Sequence, residues 1–167
     1  GLIKRVELFY DLWDEDASAA RATITSNAPT SIRAMFVTAE NYPVALGTST
    51  PMTIAWPDID DITLWDGAST NRSNARVLPK GNKMMGGAAL SDVNILWSDT
   101  TTYIMQYVGD LDVVYDTRVL SENAGLIGAM AFCVAGKPAT AFWMARGDFL
   151  MFDGGTVTTA MSGPEMA

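Results

Sequence analysis

The chain has 167 residues, 49% hydrophobic and 18% charged, a composition that excludes a disordered segment and suffices for one domain with its own core. Its 19 acidic and 11 basic residues give a net charge of −8, and the basic ones are scattered, which disfavours a protein that grips nucleic acid through clustered Lys and Arg. Histidine is absent, which removes the commonest general base, the commonest metal ligand and every Ser-His or Cys-His nucleophile pair.

Residues 1–30 read as an N-terminal insertion segment. Leu2, Val6, Phe9 and Trp13 fall at helical spacing, but Val6, Leu8, Tyr10 and Leu12 alternate as in a strand, and strand is preferred. Asp16 is placed to cap a short helix over 17–22. Lys4, Arg5 and Glu7 interrupt what a signal peptide would need as a hydrophobic region. The opening Gly1 is read as the mark of a processed chain or of a fragment of something longer.

From residue 31 to residue 167 the pattern is short apolar and aromatic runs bounded by Gly, Pro, Asn and Asp, which predicts an all-β fold of antiparallel hairpin repeats. Strands are predicted over 31–39, 43–46, 52–56, 93–97, 102–108, 112–117, 129–135, 140–145 and 149–152, rich in β-branched and aromatic residues. The stretch around 67–90 is polar and reads as a long irregular connection carrying Arg72, Arg76 and Lys80. Val108-Gly109-Asp110 and Ala145-Arg146-Gly147-Asp148 read as hairpin turns. The second also spells an integrin-binding tripeptide, for which a turn is the better account.

Laid over one another, three units of apolar strand, turn and apolar strand begin near Ala34, Ile95 and Ala141, about 60 and then about 47 residues apart, close to the spacing of propeller blades. One such unit cannot bury both its faces, so neighbours must cover them. About three blades make a partial β-propeller, since closure takes at least four. The single Cys133, inside Ala131-Phe132-Cys133-Val134, allows no intramolecular disulfide and reads as a buried, inert thiol. The apolar stretch 124–136 is glycine-broken and shorter than the roughly 20 residues of a membrane span.

Few residues offer chemistry. Asp58, Asp60 and Asp61 are weak candidates for calcium, whose hard oxygen ligands they supply, but they lack the spacing of an EF-hand. Asp14-Glu15-Asp16 reads as an exposed turn. Paired carboxylates hydrolyse glycosides without histidine, yet no pair is singled out here. Ser98-Asp99 resembles the aspartate box of sialidases without its closing glycine and tryptophan. Gly81-Asn82-Lys83-Met84-Met85-Gly86-Gly87 lacks the order of a phosphate loop. Trp13, Trp56, Trp65, Trp97 and Trp143 are expected in core or interface, not as a sugar platform. The 10 methionines fit core filling or adaptable contacts. No catalytic residue and no cofactor is assigned.

Four stretches carry a resemblance to a known family. They are Glu7-Leu8-Phe9-Tyr10-Asp11-Leu12-Trp13, then Ile54-Ala55-Trp56-Pro57-Asp58, then Asn71-Arg72-Ser73-Asn74-Ala75-Arg76 with Ile95-Leu96-Trp97-Ser98-Asp99 and Tyr103-Ile104-Met105-Gln106-Tyr107. Gly125-Leu126-Ile127-Gly128, Ala131-Phe132 and Phe142-Trp143-Met144 through Asp153-Gly154-Gly155 complete it. In this order they resemble the tail nozzle proteins of short-tailed phages, also called tail tubular protein B or packaged-DNA stabilisation protein, whose chains are much longer. The resemblance implies a propeller-containing structural subunit, not an enzyme, made in the host cytoplasm and built into the virion. It implies a ring of six copies in contact with adaptor and fibre proteins. DNA would be retained in that ring and then ejected through it, sliding past acidic walls without specific binding. The alternative is a carbohydrate-binding or carbohydrate-active β module of a receptor-binding protein.

Overall fold

The computed structural model describes residues 27–160 apart from Ile59, Ser69, Leu111 and Asp112. Among the described residues every regular element is a strand: β1 (Ala34–Val37), β2 (Pro43–Leu46), β3 (Thr53–Trp56), β4 (Asn74–Val77), β5 (Met84–Ala89), β6 (Asn94–Ser98), β7 (Thr101–Tyr107), β8 (Tyr115–Glu122), β9 (Phe132–Ala135), β10 (Thr140–Met144), β11 (Phe149–Phe152) and β12 (Val157–Thr159). They form three separate four-stranded sheets, each made of four consecutive strands running up and down, so all-β is the fold class and hairpin repetition its plan. The insertion segment, the Asp16 cap and the turn at Asp14-Glu15-Asp16 lie outside the described residues.

The sheets start at Ala34, Met84 and Phe132, a recurrence of 50 and 48 residues that corrects the uneven interval expected from the sequence. The error was one of register between repeats. The run at Ala34 is the first strand of its sheet, whereas the runs at Ile95 and Ala141 belong to second strands. The stretch around 67–90 is likewise not irregular throughout, because it holds β4 and β5. β5 reads Met-Met-Gly-Gly-Ala-Ala, with no β-branched residue and two glycines that normally weaken a strand.

Those two glycines are where the sheets meet. A Cβ on Gly87 would stand 2.6 Å from the ring of Phe36 on β1, and one on Gly86 would stand 3.0 Å from the ring of Phe132 on β9. Adjacent residues of one strand point to opposite faces. β5 is therefore pressed by a phenylalanine from the first sheet on one side and by one from the third sheet on the other.

The rest of the middle sheet follows the same division. Leu96, Tyr103, Met105 and Tyr115 share one core with Val44, Leu46, Ile54 and Trp56 of the first sheet. Ile95, Trp97 and Ile104 share a second core with Ala141, Trp143 and Phe152 of the third. The three sheets are stacked face to face, and the middle one is buried on both faces. That is why the central strand β6 carries the unbroken apolar run Ile95-Leu96-Trp97, whereas β8 at the edge of the sheet mixes buried and exposed positions.

Hydrogen bonds from polar side chains close the gaps. Arg76 on β4 donates from a guanidinium nitrogen to Thr117 Oγ1 (3.1 Å) on β8 and lies 3.6 Å from Asp116, linking first and middle sheets at a solvated edge. Trp143 Nε1 (2.7 Å) and Thr102 Oγ1 (2.6 Å) both donate to the Ala124 carbonyl, tying the middle sheet to the third.

Tyr115 packs edge-on against Trp56 (5.3 Å) and Tyr107 (5.6 Å), with its hydroxyl 3.3 Å from Thr38 Oγ1. Burial pushes this hydroxyl up to about 12, over the opposing pull of the Thr38 hydrogen bond. Below the ordinary tyrosine value of about 10 both folded and unfolded chains keep the proton, so its contribution to stability is complete there. As pH rises from about 10 through about 12 the unfolded chain ionises first, and the contribution is lost. Tyr115→Phe is accordingly expected to flatten the fall of the urea midpoint across that window. An unchanged slope would rule the assignment out.

Candidate functional site

Two regions of the described surface carry the residue types from which function can be argued: a groove beside the β3–β4 connection, and the outer faces of the stack.

The connection spans residues 57–73 and is shaped from within. The Asp58 amide donates to the Leu64 carbonyl (2.8 Å), and Asp58 Oδ1 accepts from the Arg72 amide (3.1 Å). Trp56 Nε1 donates to the Arg72 carbonyl (3.0 Å), so both limbs of the loop are pinned where they leave the sheet. Asn71 Oδ1 takes the amides of Ala68 and Ser73, and its Nδ2 donates to the Asp66 carbonyl (2.7 Å). Between the limbs lies a cavity of about 540 Å³ lined by Asp58, Asp60, Arg72, Ser73, Asn74 and Val114, among others.

Of the three acids singled out in the sequence, the groove gathers two. Asp58 is buried and occupied by the Arg72 amide, and Asp60 is exposed on the groove wall. Asp61 turns to Thr63, whose hydroxyl (2.6 Å) and amide (2.9 Å) both donate to Asp61 Oδ1 and hold its carboxyl below the usual range. Among the described residues no three His, Cys, Asp or Glu side chains come together in a way that could hold a metal ion. The groove is a polar recess with one free carboxylate, and its other acid serves the loop.

Other sequence candidates take structural places. Ser98 Oγ accepts the Thr101 amide (2.8 Å) in the β6–β7 turn. Burial pushes the Asp99 carboxyl up, but hydrogen bonds from the Asn82 amide and side chain and from the Lys83 amide outweigh it, so it sits below the usual range. Asp99 thereby ties one hairpin to the β4–β5 loop. Trp56, Trp97 and Trp143 are buried in the two cores, which leaves them no face to offer a sugar; Trp65 is half-buried and Trp13 lies outside the described residues. Arg146, Gly147 and Asp148 form an exposed β10–β11 turn closed by the Ala145 amide on the Asp148 carbonyl (2.9 Å), with Gly147 at φ +93°.

No family model matches the chain, and no curated protein matches it.

The outer faces follow from strand alternation. In the third sheet Trp143, Leu150, Phe152 and Phe132 point into the stack, so Cys133, Phe142, Met151 and Thr158 form a row across its outer face, with Met144 and Phe149 paired beside it. Phe142 and Phe149 stack at 6.4 Å and 17°. Met144 is 51% exposed. In the first sheet the outer row is Met35, Ala45, Ala55 and Ala75, flanked by Val37 and Val77. Ala45 and Ala55 are buried at its centre, while Val37 (57%) and Val77 (62%) stand exposed at its margins.

Cys133 is thus exposed, not the buried thiol its apolar context predicts, because alternation turns it outward. The outward strand residues of the third sheet carry no charge, whereas on the first sheet the Arg33 side chain lies over Gly47 at the end of β2. Sequence reasoning did not find these faces. The signal was available in Ala141-Phe142-Trp143-Met144 and Phe149-Leu150-Met151-Phe152, which are apolar at every position, as strands covered on both sides are.

Proposed function

We propose that this chain is a structural, ring-forming component of a phage tail nozzle, its sheets acting as consecutive propeller-like blades, and that it performs no chemical step. One observation carries this reading. The open outer face of the third sheet is laid out like the inner ones, uncharged and apolar, where a free-standing array would end in a polar cap. A protein built to stand alone in water gains nothing from Phe142, Met144 and Phe149 on one open sheet.

Support also comes from what the residues omit. The chain has no histidine, and the cavity beside β3 and β4 has one unengaged acid among its carboxylates, too little for acid–base work on a bond. The net charge of −8 suits a wall past which DNA slides, since carboxylates offer phosphates no counter-charge. Partners are further copies in a hexameric ring, adaptor and fibre proteins of the tail, and DNA in passage; the place is the virion. Among the described residues no helix is long and apolar enough to cross a membrane.

Electron microscopy of the full chain and of native tails is expected to show rings with a central opening, and filter binding near physiological salt is expected to show no retention of duplex DNA. A compact monomer that hydrolyses a glycan would overturn the reading. The Asp58–Asp60 groove is the observation that favours the alternative, a carbohydrate-binding module. Thermal stabilisation by an oligosaccharide that disappears in Asp60→Asn, whose carboxylate does not hold the loop, would support that alternative instead.

A further inference from the structure

We propose that residues 6–12 of one copy lie across the open outer face of the β9–β12 sheet of a neighbouring copy. The proposal rests on the assembly reading above and names one of its contacts.

The two ends of the stack differ. At the first sheet the outward residues Ala45 (0%), Thr53 (2%) and Ala55 (7%) are buried within the chain, and the Arg33 side chain lies on Gly47 beside them. At the third sheet Cys133 is exposed, Met144 is 51% exposed, and Phe142, Phe149 and Met151 are half-buried. The Met144 amide donates to the Ala131 carbonyl (2.9 Å), and the Ile127 amide donates to the Met144 carbonyl (3.0 Å). These bonds set a loop with exposed Ile127 and Met130 beside Met144. The open end is a contiguous apolar surface, of the kind that marks an interaction site.

Its occupant has to be apolar and to keep charge out of the centre, because copies bearing −8 each repel one another. Outside the described residues the chain has one stretch of that kind. In extended form residues 6–12 put Val6, Leu8, Tyr10 and Leu12 on one side and Glu7, Phe9 and Asp11 on the other, so both carboxylates turn away from the contact. Such a segment runs about 23 Å, enough to cross four strands spaced about 4.8 Å apart. The stretch after β12, residues 161–167, is broken by Gly163 and Pro164 and carries no such row.

The point of attachment favours a neighbour over the same chain. Asn27 donates from its side-chain amide to the Asp66 carboxylate, in the β3–β4 connection of the first sheet, and the middle sheet stands between the first sheet and the third. Residues 14–26, rich in acids and small side chains, reach at most about 45 Å, enough to bridge to an adjacent copy. A ring of more than two copies is built from heterologous contacts, in which different parts of the chain meet. A segment leaving one end of the stack and an open sheet at the other end are such a pair, so each copy holds the next.

The single cysteine supplies the test. In the full chain, Val6→Cys and Leu12→Cys place a thiol at either end of the segment, and one of those ends lies over β9, the edge strand that carries the exposed Cys133. Mild oxidation is expected to link that end to Cys133 of another copy, as read by non-reducing mass and peptide mapping. In the otherwise natural chain, Met144→Asp is expected to weaken self-association about tenfold or more, as read by sedimentation equilibrium, with an unchanged far-UV spectrum and melting point. Met144 is half-exposed and its loss leaves both cores intact. Leu8→Asp is expected to weaken self-association as much, and the two together little more than either alone, because both break one contact.

A wild-type chain that stays monomeric at all accessible concentrations would overturn the contact and the assembly reading together. Oligomers undiminished by Leu8→Asp, a cysteine pair that closes within one chain, or cross-links of 133 to 133 alone would overturn the contact and leave the assembly reading standing.

Discussion

Gly125→Ala is expected to destabilise the chain by about 3 kcal/mol or more, and a refolding yield near zero would be in keeping. A Cβ at this position would stand 2.3 Å from the Thr100 nitrogen, 2.5 Å from the Asp99 carbonyl carbon and 2.6 Å from the Ser98 oxygen. All three are backbone atoms of the β6–β7 turn, so no side chain can swing aside. The segment cannot retreat either. The Leu126 amide donates to the Ser98 carbonyl (3.0 Å), and the Ala124 carbonyl takes hydrogen bonds from Thr102 and Trp143. Ala124 and Leu126 are themselves buried in the core between middle and third sheets. Gly128→Ala is the control, because nothing lies within 4 Å of a Cβ there. Urea unfolding should place Gly128→Ala within about 0.5 kcal/mol of the wild type. Equal midpoints for the two variants would contradict the close approach of these backbones.

That glycine also marks what could be read from the sequence. Gly125-Leu126-Ile127-Gly128 looks like punctuation between strands, and it is, but only the fold shows which of the two glycines is pressed against another backbone. Strands whose side chains alternate or branch were legible: 43–46, 52–56, 93–97, 102–108, 140–145 and 149–152 all correspond to observed elements. β4, β5 and β12 were not, for distinct reasons. β4 is polar because it is an edge strand facing water, β12 is another edge of three residues, and β5 trades side chains for closeness to Phe36 and Phe132. With β5 unread the second unit opened on β6, and the third was begun at β10 although a strand over 129–135 was expected, which is why the interval came out uneven.

The candidate site was less legible than the fold. Composition brought Asp58, Asp60 and Asp61 together, whereas the loop separates them: Asp58 to the Arg72 amide, Asp61 to Thr63. Which carboxylate is consumed by its own backbone depends on turn geometry that spacing does not encode. The outer faces pose the opposite problem. Each of their residues is unremarkable, and their meaning lies in the register that aligns Cys133, Phe142, Met151 and Thr158 across four strands.

Trp97→Ala is expected to be nearly as severe, at about 3–5 kcal/mol, and to act on one end of the molecule more than the other. Trp97 is fully buried between Phe132 (4.7 Å) and Trp143 (5.7 Å), and it belongs to the core that joins middle and third sheets. Its removal opens a cavity at the centre of that contact, while the other core, built around Trp56 and Tyr103, loses no side chain. Amide exchange should therefore lose protection first in β10 and β11 and retain it in β2 and β3. Trp97→Phe is expected to cost less than Trp143→Phe. Trp97 Nε1 is buried without an acceptor, so its loss relieves an unmet donor, whereas Trp143 Nε1 makes a 2.7 Å bond to the Ala124 carbonyl. Protection lost evenly across all three sheets would mean that the stack unfolds as one unit and that the two cores are not separable.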